Sequence, residues 1–243
     1  MRLTTVLSCA NDNPNYYKFI PYQIKIWKYL NIKFIAVFVG NVLPEELLPY
    51  KDNIFLWNYT EDLPSVFVAQ NLRLYMPALL RYLPDDELVM ITDMDIFPTK
   101  IDKYIKGLET CKKENFINYT MSETEMYICY NAAHPETWSK LFGINCIEDI
   151  INSLRETYST IYPIEHWFTD QTVLFKKMSN NENLIKLNCH FIRLDYDEYI
   201  KHLFLNENIF IDKYDDAHYH RSFYKHREIL EDTLRQMDML YNN

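Results

Sequence analysis

The sequence of 243 residues contains very little glycine. Its three glycines, Gly40, Gly107 and Gly143, lie far apart. The Gly-x-Gly-x-x-Gly fingerprint and the Walker phosphate loop both need closely spaced glycines, so neither phosphate-binding motif is present. A phosphorylated ligand would have to be neutralised locally by other means, and a metal ion is one of them. Scarce glycine beside abundant Asn, Ile, Lys and Tyr is typical of an AT-biased genome.

The sequence also lacks a surplus of positive charge. Its net charge is −9, which gives no support to binding of a nucleic-acid backbone, since such binding needs a basic face. The five cysteines are scattered, odd in number and form no Cys-x-x-Cys pair. We therefore expect neither a zinc site nor a disulfide framework, and a reducing, cytoplasmic location fits best.

Long apolar runs are missing as well. No stretch of 18 apolar residues occurs, so no membrane span is predicted. The apolar start of the chain meets Asn11 and Asp12 too soon for a signal peptide. Hydrophobic residues nevertheless make up 48% and aromatic residues 16% of the sequence. The chain can therefore bury a substantial core, most simply as one domain.

Apolar segments of strand type alternate with segments of helical periodicity in the first half of the chain. Strands are predicted at Leu3–Cys9, Phe34–Val39, Asn53–Trp57, Leu88–Thr92, Tyr127–Tyr130 and Ala217–His220. Helices are predicted at Asn15–Leu30, Val66–Tyr82 with a kink or break near Pro77, His134–Phe142, Glu148–Tyr158, Phe168–Met178 and Phe223–Leu240. This order predicts an α/β fold with a mostly parallel central sheet, helices on both faces and a C-terminal helix. Ligands of such sheets bind at the carboxyl ends of the strands.

The segment ELVMITDMDIFP ends a buried strand on two acidic residues, Asp93 and Asp95. Alternate residues of an extended chain point the same way, so two carboxylates would share one side of the strand end. Like charges this close repel each other unless a cation lies beside them. Oxygen ligands suit Mg²⁺ or Mn²⁺, and an imidazole in the shell favours Mn²⁺. An acidic turn after a strand without any ligand is the simpler alternative.

Five features follow one another along the chain. An N-terminal strand ends in a polar loop, a helix carries Gln70 to Tyr75, and a strand leads into Asp-x-Asp. Later come the segment from Trp167 to Leu174, which contains Asp-Gln, and Ala217–His220, which contains two histidines. This order resembles the GT-A glycosyltransferases, which use nucleoside diphosphate sugars. The two later segments resemble the Asp-Gln motif of glycogenin-like members and their late strand with a metal-binding histidine. The opening of the chain and its low glycine content also resemble glycosyltransferases of large DNA viruses, including the chlorella viruses. For a viral protein, the expected location is the host cytoplasm.

This resemblance implies a metal-dependent, retaining enzyme with a single GT-A (Rossmann-like) domain over residues 1–243. The nucleotide half would span about 1–100, the acceptor and sugar half about 101–222 and the C-terminal helix 223–243. The expected cofactor is Mn²⁺ or Mg²⁺, and the expected partners are a UDP-sugar donor and a glycan or glycoprotein acceptor. The transferred sugar would be a hexose or deoxyhexose.

The resemblance also assigns roles to individual residues. Asp93, Asp95 and His220 would hold the metal, and Asp170 and Gln171 would form the catalytic pair in contact with the donor sugar. The residues expected to bind the sugar nucleotide are Ala10, Asn11, Asp12, Tyr17, Arg73, Asp93, Met94 and Asp95. A retaining enzyme of this kind needs no dedicated base. The sequence departs from the glycogenin-like pattern after His220, where Arg221 and Ser222 replace Gly and Lys.

Several alternatives remain open at this level. A haloacid-dehalogenase-type phosphatase also places Asp-x-Asp at a strand end, with Asp215 and Asp216 as a possible late acidic pair. That class normally has Thr or Val where this chain has Phe97, and its motif follows the first strand. A sugar-nucleotide binding module without turnover is a further alternative. Trp138 and Trp167 are either core anchors or an acceptor platform.

Overall fold

The structure is a computed structural model. It describes residues 1–58, 62–120, 126–195, 197, 199, 202, 209–219 and 223–241. The strands are β1 (Arg2–Asn11), β2 (Lys33–Val39), β3 (Ile54–Trp57), β4 (Glu87–Ile91), β5 (Ile96–Pro98), β6 (Phe116–Asn118), β7 (Asn131–Ala133), β8 (Leu184–Lys186), β9 (Arg193–Asp195) and β10 (Asp216–His218). The helices are α1 (Pro14–Tyr17), α2 (Ile20–Tyr29), α3 (Ser65–Tyr75), α4 (Asp102–Ile105), α5 (Pro135–Phe142), α6 (Ile147–Thr160), α7 (Tyr162–Glu165), α8 (Thr169–Met178) and α9 (Phe223–Tyr241).

Seven strands form the main sheet, in the order β3-β2-β1-β4-β7-β6-β8. The first four are parallel, β7 runs antiparallel to both of its neighbours, and β8 is parallel to β6. The prediction of an α/β fold with a mostly parallel sheet is confirmed. Because β1 and β4 are parallel neighbours, their carboxyl ends meet at one edge of the sheet.

A second sheet of three strands, in the order β5-β10-β9, lies beyond that edge. The antiparallel pairing of β10 with β5 places His218 opposite Ile96. The backbone N–H of Tyr219 then donates to the carbonyl of Asp95 at 2.9 Å. This small sheet therefore brings the late strand to the segment that follows β4.

Apolar clusters cover both faces of the main sheet. Successive residues of β1 point to opposite faces, so Val6 belongs to one cluster and Leu7 to the other. Helices α2 and α9 pack on the first face, where Trp27 and Leu230 are fully buried. Helices α3, α5, α6 and α8 cover the second face. Among the described residues, no helix combines the length and apolar character that a membrane span requires.

The structure corrects two of the predicted elements and confirms the predicted break near Pro77 in a third. The helix predicted over Asn15–Leu30 is two helices, α1 and α2, with Pro21 in the first turn of α2. The helix predicted over Val66–Tyr82 ends at Tyr75 and continues as a 3-10 turn that contains Pro77, because proline removes a helical hydrogen bond. The strand predicted over Tyr127–Tyr130 is wrong, since the strand begins at Asn131.

Candidate active site

A cleft opens at the carboxyl ends of β1 and β4, where the sequence predicted a ligand site. It is lined by eight of the predicted residues: Ala10, Asn11, Arg73, Asp93, Met94, Asp95, Asp170 and Gln171. Helix α3 faces the cleft with Val66, Ala69, Gln70 and Arg73, because residues three and four apart share one side of a helix. Segments more than 150 residues apart in the chain thus meet in one cleft.

Arg73 bridges two carboxylates in this cleft. One guanidinium nitrogen donates to Asp93. Two others donate to Oδ2 of Asp170, Nη2 at 2.5 Å and Nε at 3.2 Å. The Arg73 side chain is 13% exposed and that of Asp170 only 1%. A charged carboxylate this deeply buried needs a partner, and the guanidinium supplies it.

The environment of Asp170 is set by its helix as well as by Arg73. Asp170 lies in the first turn of α8, where negative charge is favoured, and its Oδ1 accepts the backbone N–H of Gln171 at 2.8 Å. Burial raises the pKa of the Asp170 carboxyl and outweighs the lowering effect of Arg73. Because the carboxylate is almost out of contact with water, hydrogen bonds from Arg73 and Gln171 stabilise it in place of solvent.

Asp95 faces a histidine rather than Arg73. Its Oδ1 lies 3.7 Å from Nε2 of His218, and Nδ1 of His218 lies 3.9 Å from Oδ1 of Asp195. Burial lowers the pKa of His218, but the bond to Asp95 and the charge of Asp95 outweigh burial, so the net shift is upward. Asp93 and Asp95 lie in the turn between β4 and β5 and contact different partners. Each of the two carboxylates thus has its own partner at the edge of the sheet.

The family resemblance assigns the metal-binding role to His220, which lies outside the described residues, so this assignment stays a prediction. Among the described residues, His218 lies in the cleft beside Asp95. To predict His218 from the sequence, one would need the register of β10 against β5. The alternation of side chains along a single strand does not show which residue lies next to Asp95.

A buried glutamine that the sequence analysis did not select holds the acidic turn in place. The side-chain amide of Gln23 donates to the carbonyls of Met94 at 2.9 Å and Ile96 at 2.7 Å. Its oxygen accepts the indole N–H of Trp27 at 3.0 Å, and Gln23 is fully buried. In the sequence, Gln23 is a polar residue on the apolar face of a helix. Because buried polar groups are nearly always hydrogen-bonded, such a residue indicates a specific polar contact in the core.

The predicted nucleotide residues divide into two groups. Ala10 and Asn11 line the cleft, and Asn11 Nδ2 donates to Ser65 Oγ at 3.1 Å. Asp12 and Tyr17 do not line it. The hydroxyl of Tyr17 donates to Glu46 at 3.1 Å. The neighbouring Tyr16 lines the cleft instead.

Two tryptophans considered as an acceptor platform also differ. Trp138 is fully buried, whereas Trp167 is 49% exposed and lines the cleft.

Among the described residues, no three His, Cys, Asp or Glu side chains are grouped closely enough to hold a metal ion by themselves. Any ion bound in the cleft would thus need ligands from elsewhere, such as a phosphorylated ligand.

No protein-family model and no curated protein matches the sequence. Among solved structures, the chain is similar to the glycosyltransferase GlyE of Streptococcus pneumoniae TIGR4, with 11% identity, a TM-score of 0.52 and coverage of 100% of this chain and 64% of GlyE. The galactosyltransferase LgtC, in complex with donor and acceptor sugar analogs, has 12% identity, a TM-score of 0.49 and coverage of 96% and 95%. A glycosyltransferase involved in the glycosylation of the major capsid of PBCV-1 has 8% identity, a TM-score of 0.44 and coverage of 98% and 100%. The similarity to GlyE shows a shared fold, and the chain spans less than two thirds of GlyE.

Proposed function

We propose that this protein is a metal-dependent, retaining glycosyltransferase that moves a hexose or deoxyhexose from a UDP-sugar to a glycan or protein acceptor. The observation that carries the proposal is the joining of Asp93 and Asp170 by Arg73 in a cleft that also holds Asp95 and His218. A sugar nucleotide needs cationic partners for its diphosphate and polar partners for its sugar. In the cleft, Arg73 and a bound Mn²⁺ would supply the positive charge, and the carboxylates and Gln171 would supply the polar partners. The fold shared with GlyE supports the assignment.

The donor set of the cleft fits a hard divalent ion that shares its ligands with a diphosphate. Asp95 offers a carboxylate and His218 an imidazole at 3.7 Å from each other. Mg²⁺ is usually bound by one or two carboxylates plus substrate phosphates rather than by a cage of protein ligands, and Mn²⁺ accepts imidazole more readily. We propose Asp95 with His218 as the protein ligands, and His220 as the alternative to His218. A bound Mn²⁺ would act as Lewis acid toward the departing diphosphate.

The other residues of the cleft would position the donor. In this proposal Arg73 neutralises negative charge of the sugar nucleotide, and Asp93 accepts a hydrogen bond from a sugar or ribose hydroxyl. Asp170 and Gln171 contact the donor sugar, while Ala10 and Asn11 contact the nucleotide. Fixed charges and dipoles of this kind are effective in a cleft because they need no reorganisation during the reaction.

The phosphatase alternative has little support at the residue level. Its late acidic pair would be Asp215 and Asp216, but neither lines the cleft. Asp215 pairs with Lys103 at 2.7 Å, and Asp216 pairs with Arg193 at 2.8 Å and accepts the hydroxyl of Tyr130. Both carboxylates thus hold the small sheet in place.

The test of the proposal is acceptor-free hydrolysis of UDP-glucose, UDP-galactose and UDP-rhamnose in the presence of Mn²⁺. We expect slow release of free sugar from one of them, strongly reduced in Asp93→Asn and unchanged in Asp86→Asn, whose carboxylate is exposed and pairs with Arg2. Hydrolysis of p-nitrophenyl phosphate that is lost in Asp93→Asn, without release of sugar, would instead establish the phosphatase.

A further inference from the structure

Large apolar side chains are exposed in the segment just before α8, which reaches the cleft through Trp167. Trp167 is 49% exposed, Phe168 56% and Ile164 76%. They belong to α7 and to the short turn His166–Phe168 that leads into Asp170. Trp167 itself lines the cleft, together with Val66 of α3, which is 44% exposed. Exposed apolar groups that cluster beside a polar cleft are typical of a binding surface.

The turn that carries these side chains is firmly held. The side-chain amide of Gln70 donates to the carbonyl of Trp167, and the hydroxyl of Thr169 donates to that of His166 at 2.6 Å. The ring of His166 packs edge-on against Tyr162 at 5.5 Å, and Tyr162 packs against Phe67 at 5.0 Å. His166 has a φ of 45°, a conformation that costs energy and persists only where the surroundings enforce it.

We infer that Trp167, beside Val66, forms a stacking surface for a pyranose ring of the acceptor. A pyranose presents a face of C–H groups, and the negative face of an aromatic ring attracts such groups while its apolar area is removed from water. Trp167 precedes by three residues Asp170, the proposed contact of the donor sugar. A sugar stacked on Trp167 would thus lie at the mouth of the donor site, with the Gln171 side of the cleft available to its hydroxyls.

The size and charge of the surface favour a sugar ring over other occupants. One half-exposed tryptophan ring offers roughly 100 Å², whereas a stable protein interface needs about 800 Å² on each partner. The net charge of −9 also opposes adsorption to anionic membranes. A single carbohydrate ring matches the area available.

This inference rests on the proposed function, because only a glycosyltransferase needs a second sugar beside its donor. It can nevertheless be tested without turnover. We choose saturation-transfer NMR with a panel of methyl glycosides of glucose, galactose and rhamnose, recorded with Mn²⁺ and UDP present. Methyl glycosides carry no aromatic group of their own, so any stacking must come from the sugar ring.

The expected result is saturation of the ring C–H protons of at least one glycoside. Its affinity should fall about tenfold or more in Trp167→Ala and stay within about threefold of the wild type in Trp167→Phe, which retains an aromatic face. Phe168→Ala, which removes a neighbouring exposed ring that does not line the cleft, should also stay within about threefold. Tyr82→Ala, which removes an exposed aromatic side chain outside the cleft, should leave the affinity for the glycoside unchanged. Since Trp167 and Phe168 are exposed, their replacement should leave the fold intact.

Intrinsic fluorescence gives an independent reading of the same contact. Of the four tryptophans, Trp27 and Trp138 are fully buried and Trp57 is 7% exposed, so Trp167 is the accessible one. The glycoside that gives NMR signals should change the emission of the wild type and have no effect on Trp167→Phe.

The outcomes separate this inference from the proposed function. Absence of ring-proton saturation for every glycoside, or equal affinity in Trp167→Ala and wild type, overturns the stacking surface. If donor hydrolysis is present in that case, the proposed function stands without it. Glycoside stacking in a protein that hydrolyses no UDP-sugar would instead support a carbohydrate-binding surface and contradict the glycosyltransferase assignment.

Discussion

At the scale of single residues, Arg73 determines the electrostatics of the cleft. It pairs with Asp93 and with the almost fully buried Asp170. Arg73→Met keeps much of the volume of the side chain but leaves Asp170 buried without its cation. We expect the free energy of unfolding, measured with urea at neutral pH, to fall by about 3 to 5 kcal/mol.

The matched control for Arg73 is Arg155, which donates twice to Asp62 while both side chains are about half exposed. Arg155→Met should cost about 1 kcal/mol or less. Equal losses in the two variants would contradict the view that Asp170 depends on Arg73.

A second prediction at this scale concerns the two histidines near the late strand. His218 lies beside Asp95, so His218→Ala should weaken Mn²⁺-dependent binding of UDP by about tenfold or more, measured by calorimetry. His220→Ala should have the smaller effect. The reverse order would restore His220, the histidine that the sequence analysis favoured, as the metal ligand.

Sequence motifs identify the site residues of α3, α8 and the acidic turn better than those of the loop after β1. Arg73, Asp93, Asp95, Asp170 and Gln171 were selected from motifs and their order, and all of them line the cleft. The choice between Tyr16 and Tyr17 was not predictable. Helix α1 has only four residues, so no helical period indicates which ring faces the cleft.

At the scale of elements, helix α2 and the acidic turn are joined through Gln23. The side chain of Gln23 donates to the carbonyls of Met94 and Ile96 and accepts from Trp27. Gln23→Leu keeps the volume but removes these bonds, so we expect a loss of about 3 kcal/mol in the free energy of unfolding. The turn should also loosen, which should weaken Mn²⁺-dependent UDP binding.

Gln236 of α9 serves as the control, because it also bridges a backbone group and a side chain but lies outside the cleft. Gln236→Leu should lower stability and leave UDP binding at the level of the wild type. If Gln23→Leu lowers stability with no effect on UDP binding, the proposed link between α2 and the acidic turn is wrong.

Long apolar elements were predictable, and short ones were not. Strands β1, β2 and β4 and helix α8 agree with prediction to within two residues at each end. Strands β6, β8 and β9 have three residues each, too few to show a period. The apolar segment before β7 is a bend, in which Tyr130 has a φ of 63° and the side-chain amide of Asn131 donates to the carbonyls of Tyr127 and Ile128 at 2.8 Å.

At the scale of the whole molecule, the alternation of strands and helices in the first half predicted the parallel part of the sheet. The antiparallel strand β7 was not predictable, since it pairs with β4 across more than 40 residues of chain. The cleft follows from the same topology, because the polar segments after β1 and β4 meet only if these strands are neighbours.

The five cysteines give a prediction for the molecule as a whole. All five are free, and only Cys146 is classed as exposed. Burial raises the pKa of the Cys129 thiol to about 12, and thiolates rather than thiols react. In the native protein, one thiol should therefore react fast with Ellman's reagent, and this fast reaction should be absent in Cys146→Ser. After denaturation without reductant, all five thiols should react. Fewer thiols in the denatured protein would indicate a disulfide.

The most direct test of the proposed nucleotide site is the stability of the protein in the presence of UDP and of Mn²⁺, separately and together. If the cleft binds a diphosphate through a shared metal ion, UDP at a hundred times its dissociation constant should stabilise the protein by about 2.7 kcal/mol, or roughly 5 to 10 °C in Tm. This gain should require Mn²⁺ and be smaller with GDP or ADP. An equal gain in stability from UDP in the presence of a chelator would contradict the shared metal ion. No gain with any nucleoside diphosphate would contradict the nucleotide site itself.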